Sequence, residues 1–339
     1  MNVNATALKY LKKLYDDPIA RFKSSEQALA VRLALQKRSD VLVILPTGGG
    51  KSLVFQLAAS IESTLTTVLI IPFVALLDEM AERCSDMGLQ TTIYQPGKDL
   101  RTARSQIIIA GAEHAVSSDF QLLLVQLESS KQLSRIVIDE CHTLITQLSF
   151  RPIMRRMGSL VRCVDCQILL LTATLPPSMV ERLRIILGCE KLDIVRRLDD
   201  RKEMEYSVID LGSTAEDMND LNIRISGILF QEHPKWSEAD RGIIYCLQTK
   251  WTEEFARFLN QIWDEEICGY YHSNMERDQR DEMLQRWRVG DLKFMAATSA
   301  LSVGIDYPHV RLILHQGYGR NLIDLCQETG RGGRDGENA

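Results

Sequence analysis

Leu45-Pro46-Thr47-Gly48-Gly49-Gly50-Lys51-Ser52 stands between the apolar run Val41–Leu45 and the helix-length stretch Leu53–Ser60. Strand, glycine turn, helix is the order that places a ring of backbone N–H groups at the mouth of a sheet. Three consecutive glycines let the backbone wrap closely around phosphate oxygens with its N–H groups pointing inward. The helix that follows adds its positive N-terminal end. Lys51 can then reach the β- and γ-phosphates of a nucleotide, and Ser52 can bind Mg²⁺. The stretch departs from the pattern G-x-x-x-x-G-K-[ST] at one place, where Leu45 stands for the first glycine.

Working outward, further short apolar runs surround this loop: Val68–Ile71, Ile107–Ala110, Ile136–Ile138 and Ile168–Leu171. They are nearly continuous rather than alternating, which is how strands buried on both faces of a parallel sheet read. Stretches such as Ala75–Met87 are long enough for crossover helices, so the first half predicts a doubly wound α/β lobe. Arg196–Glu205, with eight charged residues in ten, reads as a linker. A second α/β series follows, with candidate strands Gly242–Leu247, Ile267–Tyr271, Phe294–Thr298 and Leu312–His315. Between them lie two helical patterns, Thr249–Trp263 and Met275–Val289, the second with Ser273 and Asn274 as capping candidates. The expected division is residues 1–200 and 201–339, one lobe each.

The whole chain is compatible with two such lobes. It has 339 residues, 45% hydrophobic and 25% charged, enough for two buried cores. The longest strongly apolar run, Val68–Leu77, contains Pro72 and is about half the length a membrane-spanning helix needs. The N-terminus lacks a signal-peptide core, so an intracellular location is expected, nuclear in a eukaryote. A net charge of -5 and a pI near 5.8 leave any nucleic-acid contact to a local basic groove. Of eight cysteines only Cys163 and Cys166 form a close pair, and no second pair at zinc spacing accompanies them. Reduced thiols and no zinc site are expected.

A nucleotide hydrolase also needs a carboxylate for its metal and a group to handle water. Asp139-Glu140, at the end of Arg135-Ile136-Val137-Ile138, supplies both, and strand ends of an open α/β sheet share one edge. Asp139-Glu140-Cys141-His142 resembles the DExH box of superfamily 2 helicases, and Leu45–Ser52 resembles motif I of RecQ-type DNA helicases. Thr172-Ala173-Thr174 is similar to motif III, and Gln327-Glu328-Thr329-Gly330-Arg331-Gly332-Gly333-Arg334-Asp335-Gly336 is similar to RecQ motif VI. The resemblance runs from about Phe22 to Gly336. It implies two RecA-like lobes of the P-loop NTPase type, with ATP and Mg²⁺ between them.

It also implies roles. Thr47, Gly48, Gly49, Gly50, Lys51 and Ser52 would hold the phosphates, with Ser52 and Asp139 on Mg²⁺. Glu140 would orient and deprotonate water, and Arg331 and Arg334 would reach the γ-phosphate, Arg334 as the arginine finger. Gln27 would read adenine, although its spacing from Phe22 is one residue longer than the family's F-R-x-x-Q. Asp306 would couple the lobes, while His142 and Thr172 would link the ATP site to the nucleic acid. Pro72–Leu76, Gly111–His114, Leu247–Lys250, His272 and Thr298–Ser302 resemble the segments that grip one strand.

Two departures set expectations for activity. The family's aromatic-rich loop after the DExH box is here Thr143-Leu144-Ile145-Thr146-Gln147-Leu148-Ser149, without its tryptophan, ahead of Phe150-Arg151-Pro152. The sequence ends three residues after Gly336, short of the zinc, winged-helix and HRDC modules of longer RecQ proteins. The resemblance therefore implies a 3′-to-5′ DNA motor core, acting on single-stranded or forked DNA, that hydrolyses ATP and unwinds poorly. The alternatives are an RNA-directed ATPase of the same superfamily and a nucleotide-gated DNA-binding module.

Overall fold

The computed structural model describes residues 3–97, 105–148, 152–197, 201–209, 218–302, 307–317 and 321–339. The chain divides into two compact units, Met1–Asp199 and Asp200–Ala339.

The first unit is built on seven parallel strands: β1 (Asp40–Ile44), β2 (Thr66–Ile71), β3 (Thr91–Ile93), β4 (Ile107–Gly111), β5 (Leu133–Ile138), β6 (Gln167–Thr172) and β7 (Leu192–Arg196). Their order across the sheet is β3-β4-β2-β5-β6-β1-β7. Successive side chains of a strand point to opposite faces, and here both faces are covered. Leu42, Ile44, Val68, Ile70, Ile136 and Ile138 join one core, closed by the helices Ser118–Ser129 and Pro177–Leu187. Val41, Val43, Leu69, Ile71 and Val137 join the other, closed by Ser25–Gln36 and Lys51–Ile61. This is why the central strands read as unbroken apolar runs.

The edge strands escape that reading. β3 has three partly exposed residues, and β7 buries only Val195 while carrying Asp193 and Arg196. Neither offers an apolar run, so pairing with β4 and β1 decides their conformation. Arg196, expected in the linker, ends β7, where its guanidinium donates to the Leu175 carbonyl at 2.7 Å. The helix expected over Ala75–Met87 is a 3₁₀ turn, Val74–Leu76, followed by an α-helix, Leu77–Asp86.

The second unit has four parallel strands, β8 (Arg241–Cys246), β9 (Cys268–Tyr271), β10 (Phe294–Ala297) and β11 (Val310–Gln316), in the order β11-β8-β10-β9. Trp287, fully buried, packs with Ile243, Leu292 and Met295 on one face. Phe255, Leu259, Ile244 and Phe294 fill the other. The helix Thr249–Trp263 lies where the pattern puts it, but the next spans Arg277–Val289. Its N-cap is Glu276 in extended backbone, and Ser273 and Asn274 sit in the preceding turn rather than at the cap. Among the described residues no helix is long and apolar enough to cross a membrane.

Candidate nucleotide site

β5, β6 and β1 are adjacent in the first sheet, so the loops after Ile138, Thr172 and Ile44 leave the same edge side by side. After β1 the chain turns through Pro46 and Thr47 into glycines, with Gly48 at φ +76° and Gly50 at φ +77°. Gly50 is the N-cap of Lys51–Ile61, which puts Lys51 and Ser52 in that helix's first turn. A Cβ on Gly49 would lie 2.9 Å from the Pro46 carbonyl oxygen, and one on Gly50 would lie 2.1 Å from Gln27 Nε2. Close backbone approach, as well as left-handed φ, demands glycine here.

Gln27 is 1% exposed and braces the loop from outside. Its Nε2 donates to the Gly50 carbonyl at 3.0 Å, and its Oε1 accepts from Lys23 N at 2.7 Å. Lys23 Nζ in turn donates to the Gly48 carbonyl at 2.9 Å. Ser24 caps the helix by accepting from Gln27 N. Both ends of the Gln27 amide are thus engaged with the loop and its approach, and Lys23 is a loop contact that the sequence reading did not single out.

Lys51 Nζ lies over two loop carbonyls, Leu45 O at 3.3 Å and Pro46 O at 3.4 Å. These are long contacts, easily exchanged for phosphate oxygens. Beside it Asp139 is partly buried, and burial pushes its carboxyl up to about 7. The neighbouring Glu140 charge adds to that shift, while Lys51 opposes it. A carboxylate this poorly compensated suits a divalent cation that completes its shell with phosphate and water, as Mg²⁺ does. Among the described residues no group of three or more His, Cys, Asp or Glu is arranged to hold a metal alone.

Glu140 has φ +46°, left-handed for a non-glycine residue. Thr143 holds it there, donating to the Glu140 carbonyl from N at 2.9 Å and from Oγ1 at 2.8 Å. Glu140 N donates to Asp139 Oδ1 at 3.0 Å. His142 Nδ1 lies 3.3 Å from Glu140 Oε2 and 3.0 Å from Thr172 Oγ1. Cys141 N donates to the Leu171 carbonyl at 3.0 Å, tying the turn to β6. Asp139, Glu140, His142, Thr172 and Lys51 are therefore one cluster. Thr143–Thr146 is a short helix with Thr143, Leu144 and Ile145 buried, so this tract is partly core.

Residues 24–183 match the DEAD/DEAH box helicase family, and residues 225–336 match the helicase conserved C-terminal domain. The chain is 28% identical over 323 residues to the rat ATP-dependent DNA helicase Q1, covering 89% of this chain and 49% of that one. It is 28% identical over 331 residues to the helicase SGS1 of Saccharomyces cerevisiae, covering 91% of this chain and 22% of the relative. The chain thus carries matches to both helicase domains and is similar in sequence to RecQ-type DNA helicases. It spans half or less of the length of these RecQ-type relatives. The fold is shared more widely. S. cerevisiae Dbp5 bound to RNA and ADP BeF3 superposes with TM-score 0.72 at 17% identity, covering 98% of this chain and 85% of that one. The helicase MrfA bound to DNA gives 0.75 at 16% identity, covering 96% and 46%.

In the second unit, the segment similar to motif VI begins in the last turn of the helix Leu322–Thr329 and continues into the turn beyond it. Arg331 donates through Nη2 to the Ser302 carbonyl, and Arg334 Nε lies 3.4 Å from the Gly330 carbonyl. Gly333 takes φ +54° and donates from N to the Val310 carbonyl at 2.9 Å, docking the turn on β11. Asp335, which the sequence reading left without a role, accepts from Arg311 Nη1 at 2.9 Å and from His309 Nδ1 at 2.6 Å. Arg311's guanidinium holds that carboxyl well below the usual carboxylate range. Arg201 donates to the Gly332 carbonyl, so the charged tract after residue 200 packs on this same turn.

The candidate strand-gripping segments all leave the C-terminal ends of strands: Pro72 after β2, the Gly111 end of β4, Leu247 after β8, His272 after β9 and Thr298 after β10. His272 is buried, with Nε2 3.0 Å from Glu253 Oε1. Asp306, Ser149, Phe150 and Arg151 lie outside the described residues.

Proposed function

We propose that this chain is the ATP-hydrolysing core of a 3′-to-5′ DNA motor that translocates along a nucleic-acid strand. The observation that carries the reading is the cluster at the edge of β1, β5 and β6. A glycine loop opening a helix, Lys51, and a partly buried Asp139-Glu140 pair stand together there. ATP would bind with its phosphates on the loop amides and the helix N-terminus. Lys51 would leave the Leu45 and Pro46 carbonyls for the β- and γ-phosphates. Ser52 and Asp139 would hold Mg²⁺, which would screen the charge between phosphate oxygens. Glu140 would accept a proton from water, with His142 and Thr172 fixing its turn. Arg331 and Arg334 would stabilise charge at the γ-phosphate, Arg334 as the finger, and Asp306 would belong to the segment coupling the lobes. Gln27 is proposed as the adenine contact as well as a brace for the loop.

DNA is chosen over RNA because relatives at 28% identity are named DNA helicases. A solved neighbour bound to RNA keeps RNA as the second reading. ATP turnover measured alone, with single-stranded DNA and with RNA decides between them, and turnover unmoved by either refutes the motor. Glu140→Gln should bind ATP within a few-fold of the parent yet stop hydrolysis, because an amide cannot take water's proton. Normal hydrolysis by that variant would assign water activation elsewhere.

A further inference from the structure

Three polar side chains stand behind Arg331, Glu328 buried and His315 and Ser302 partly buried. Glu328 is 6% exposed, and a carboxylate so placed is costly unless its oxygens are satisfied. His315 Nε2, at the end of β11, lies 2.9 Å from Glu328 Oε2. Ser302 Oγ donates to Glu328 Oε1 at 3.5 Å. His315 itself is fixed by stacking on the buried Tyr245, ring centroids 5.2 Å apart and planes 17° from parallel.

Ser302 is the junction of this network. Its hydroxyl faces Glu328, and its carbonyl accepts from the Arg331 guanidinium. The backbone closes the circuit, since Arg331 N donates to the Glu328 carbonyl at 3.2 Å. Ser302 also ends the turn Ser299–Ser302 that follows β10. Arg331 is thus held between the end of its own helix and a turn from another strand. A guanidinium stabilises developing charge to the extent that it is oriented beforehand, because a misplacement of about 1 Å can cost ~10²-fold in rate.

We propose that Glu328 is a positioning residue for Arg331, acting through Ser302 and fixed in place by His315. The inference rests on the proposed role of Arg331 at the γ-phosphate and adds the device that orients it. A neutral amide in Glu328's place would keep its shape and still accept from His315. It would lose the charge and the second acceptor that hold Ser302 and, through it, the arginine.

The test is steady-state ATP turnover of the full chain for Glu328→Gln, Arg331→Ala and the double variant. Glu328→Gln should lower kcat about tenfold or more and leave the KM for ATP within about twofold. The double variant should be no slower than Arg331→Ala alone, since residues that act as a unit are not additive. Ser302→Ala, which removes the hydroxyl and keeps the carbonyl, should lower kcat in the same direction by a few-fold. It serves as the decisive variant if Glu328→Gln does not fold. Glu328→Gln at the parent's kcat, or a double variant whose losses simply multiply, overturns the proposal. Arg331→Ala at the parent's kcat instead refutes the reading of Arg331 at the phosphate, and the positioning role with it.

Discussion

Two glycines of the proposed phosphate loop share a backbone conformation but not an environment, and that separates strain from crowding. Gly48 at φ +76° has no neighbour within 4 Å of an added Cβ, whereas Gly50 at φ +77° would place one 2.1 Å from Gln27 Nε2. Gly48→Ala should therefore cost only the left-handed strain, about 1–2 kcal/mol. Gly50→Ala should cost that and break the Gln27 brace, so its melting temperature should fall further and its ATP affinity with it. Thermal melts with and without nucleotide give both quantities. Equal losses in the two variants would mean that Gln27 yields freely and does not shape the loop. Glu140 shows the complementary case, a non-glycine residue at φ +46° held by Thr143. Strain of this kind, about 1–3 kcal/mol, persists where surrounding bonds over-determine it.

The element that docks the arginine turn is β11, and its charges make a prediction about acid. Arg311 lies on that strand, paired with Asp335 and, through Nε, with Asp240 Oδ1 at 2.8 Å. Because Arg311 holds Asp335's folded pKa below its unfolded value, the pair's stability is fully present above the ordinary carboxylate pKa of about 3.9. It is lost as pH falls from there toward the depressed value. Asp335→Asn should destabilise the second unit at neutral pH by about 1–2 kcal/mol. The gap to the parent should narrow below about pH 4. A gap that stays constant through that range would show that the pair carries no charge-dependent stability. Pairs of this type explain what the sequence conceals. β1, β2 and β5 were legible because burial on both faces demands an unbroken apolar run, and the glycine loop because its chemistry needs contiguous residues. β3 and β7 were not, being edge strands with a polar face. Lys23, Asp335, Glu328 and His315 find their partners across loops and strands, a relation that spacing along the chain does not encode.

At the scale of the whole molecule, each unit closes its own cores. The clusters around Leu42 and Val41 draw only on residues before 200, and those around Phe255 and Trp287 only on residues after it. The phosphate loop, Gln27, Asp139, Glu140, His142 and Thr172 all belong to Met1–Asp199. Residues 1–199 produced alone should then fold and bind ATP, since the described core residues and loop contacts named above lie within them. Their hydrolysis should be slower than that of the full chain by orders of magnitude, because Arg331 and Arg334 lie in Asp200–Ala339. An arginine finger, the role proposed for Arg334, is worth roughly 10³–10⁵ in rate. Binding reads out as stabilisation: ligand at a hundred times its Kd adds about 2.7 kcal/mol to a folded protein, several degrees in the melt. Arg334→Ala in the full chain should reproduce the kinetic defect of the isolated unit while leaving ATP affinity within a few-fold. If residues 1–199 turn ATP over at the full chain's rate, the second unit contributes no catalytic charge, and the arginines after Gly330 serve some other end. If instead the isolated unit folds but shows no nucleotide-dependent shift, the loop at Gly48–Lys51 depends on the second unit for binding as well as for turnover.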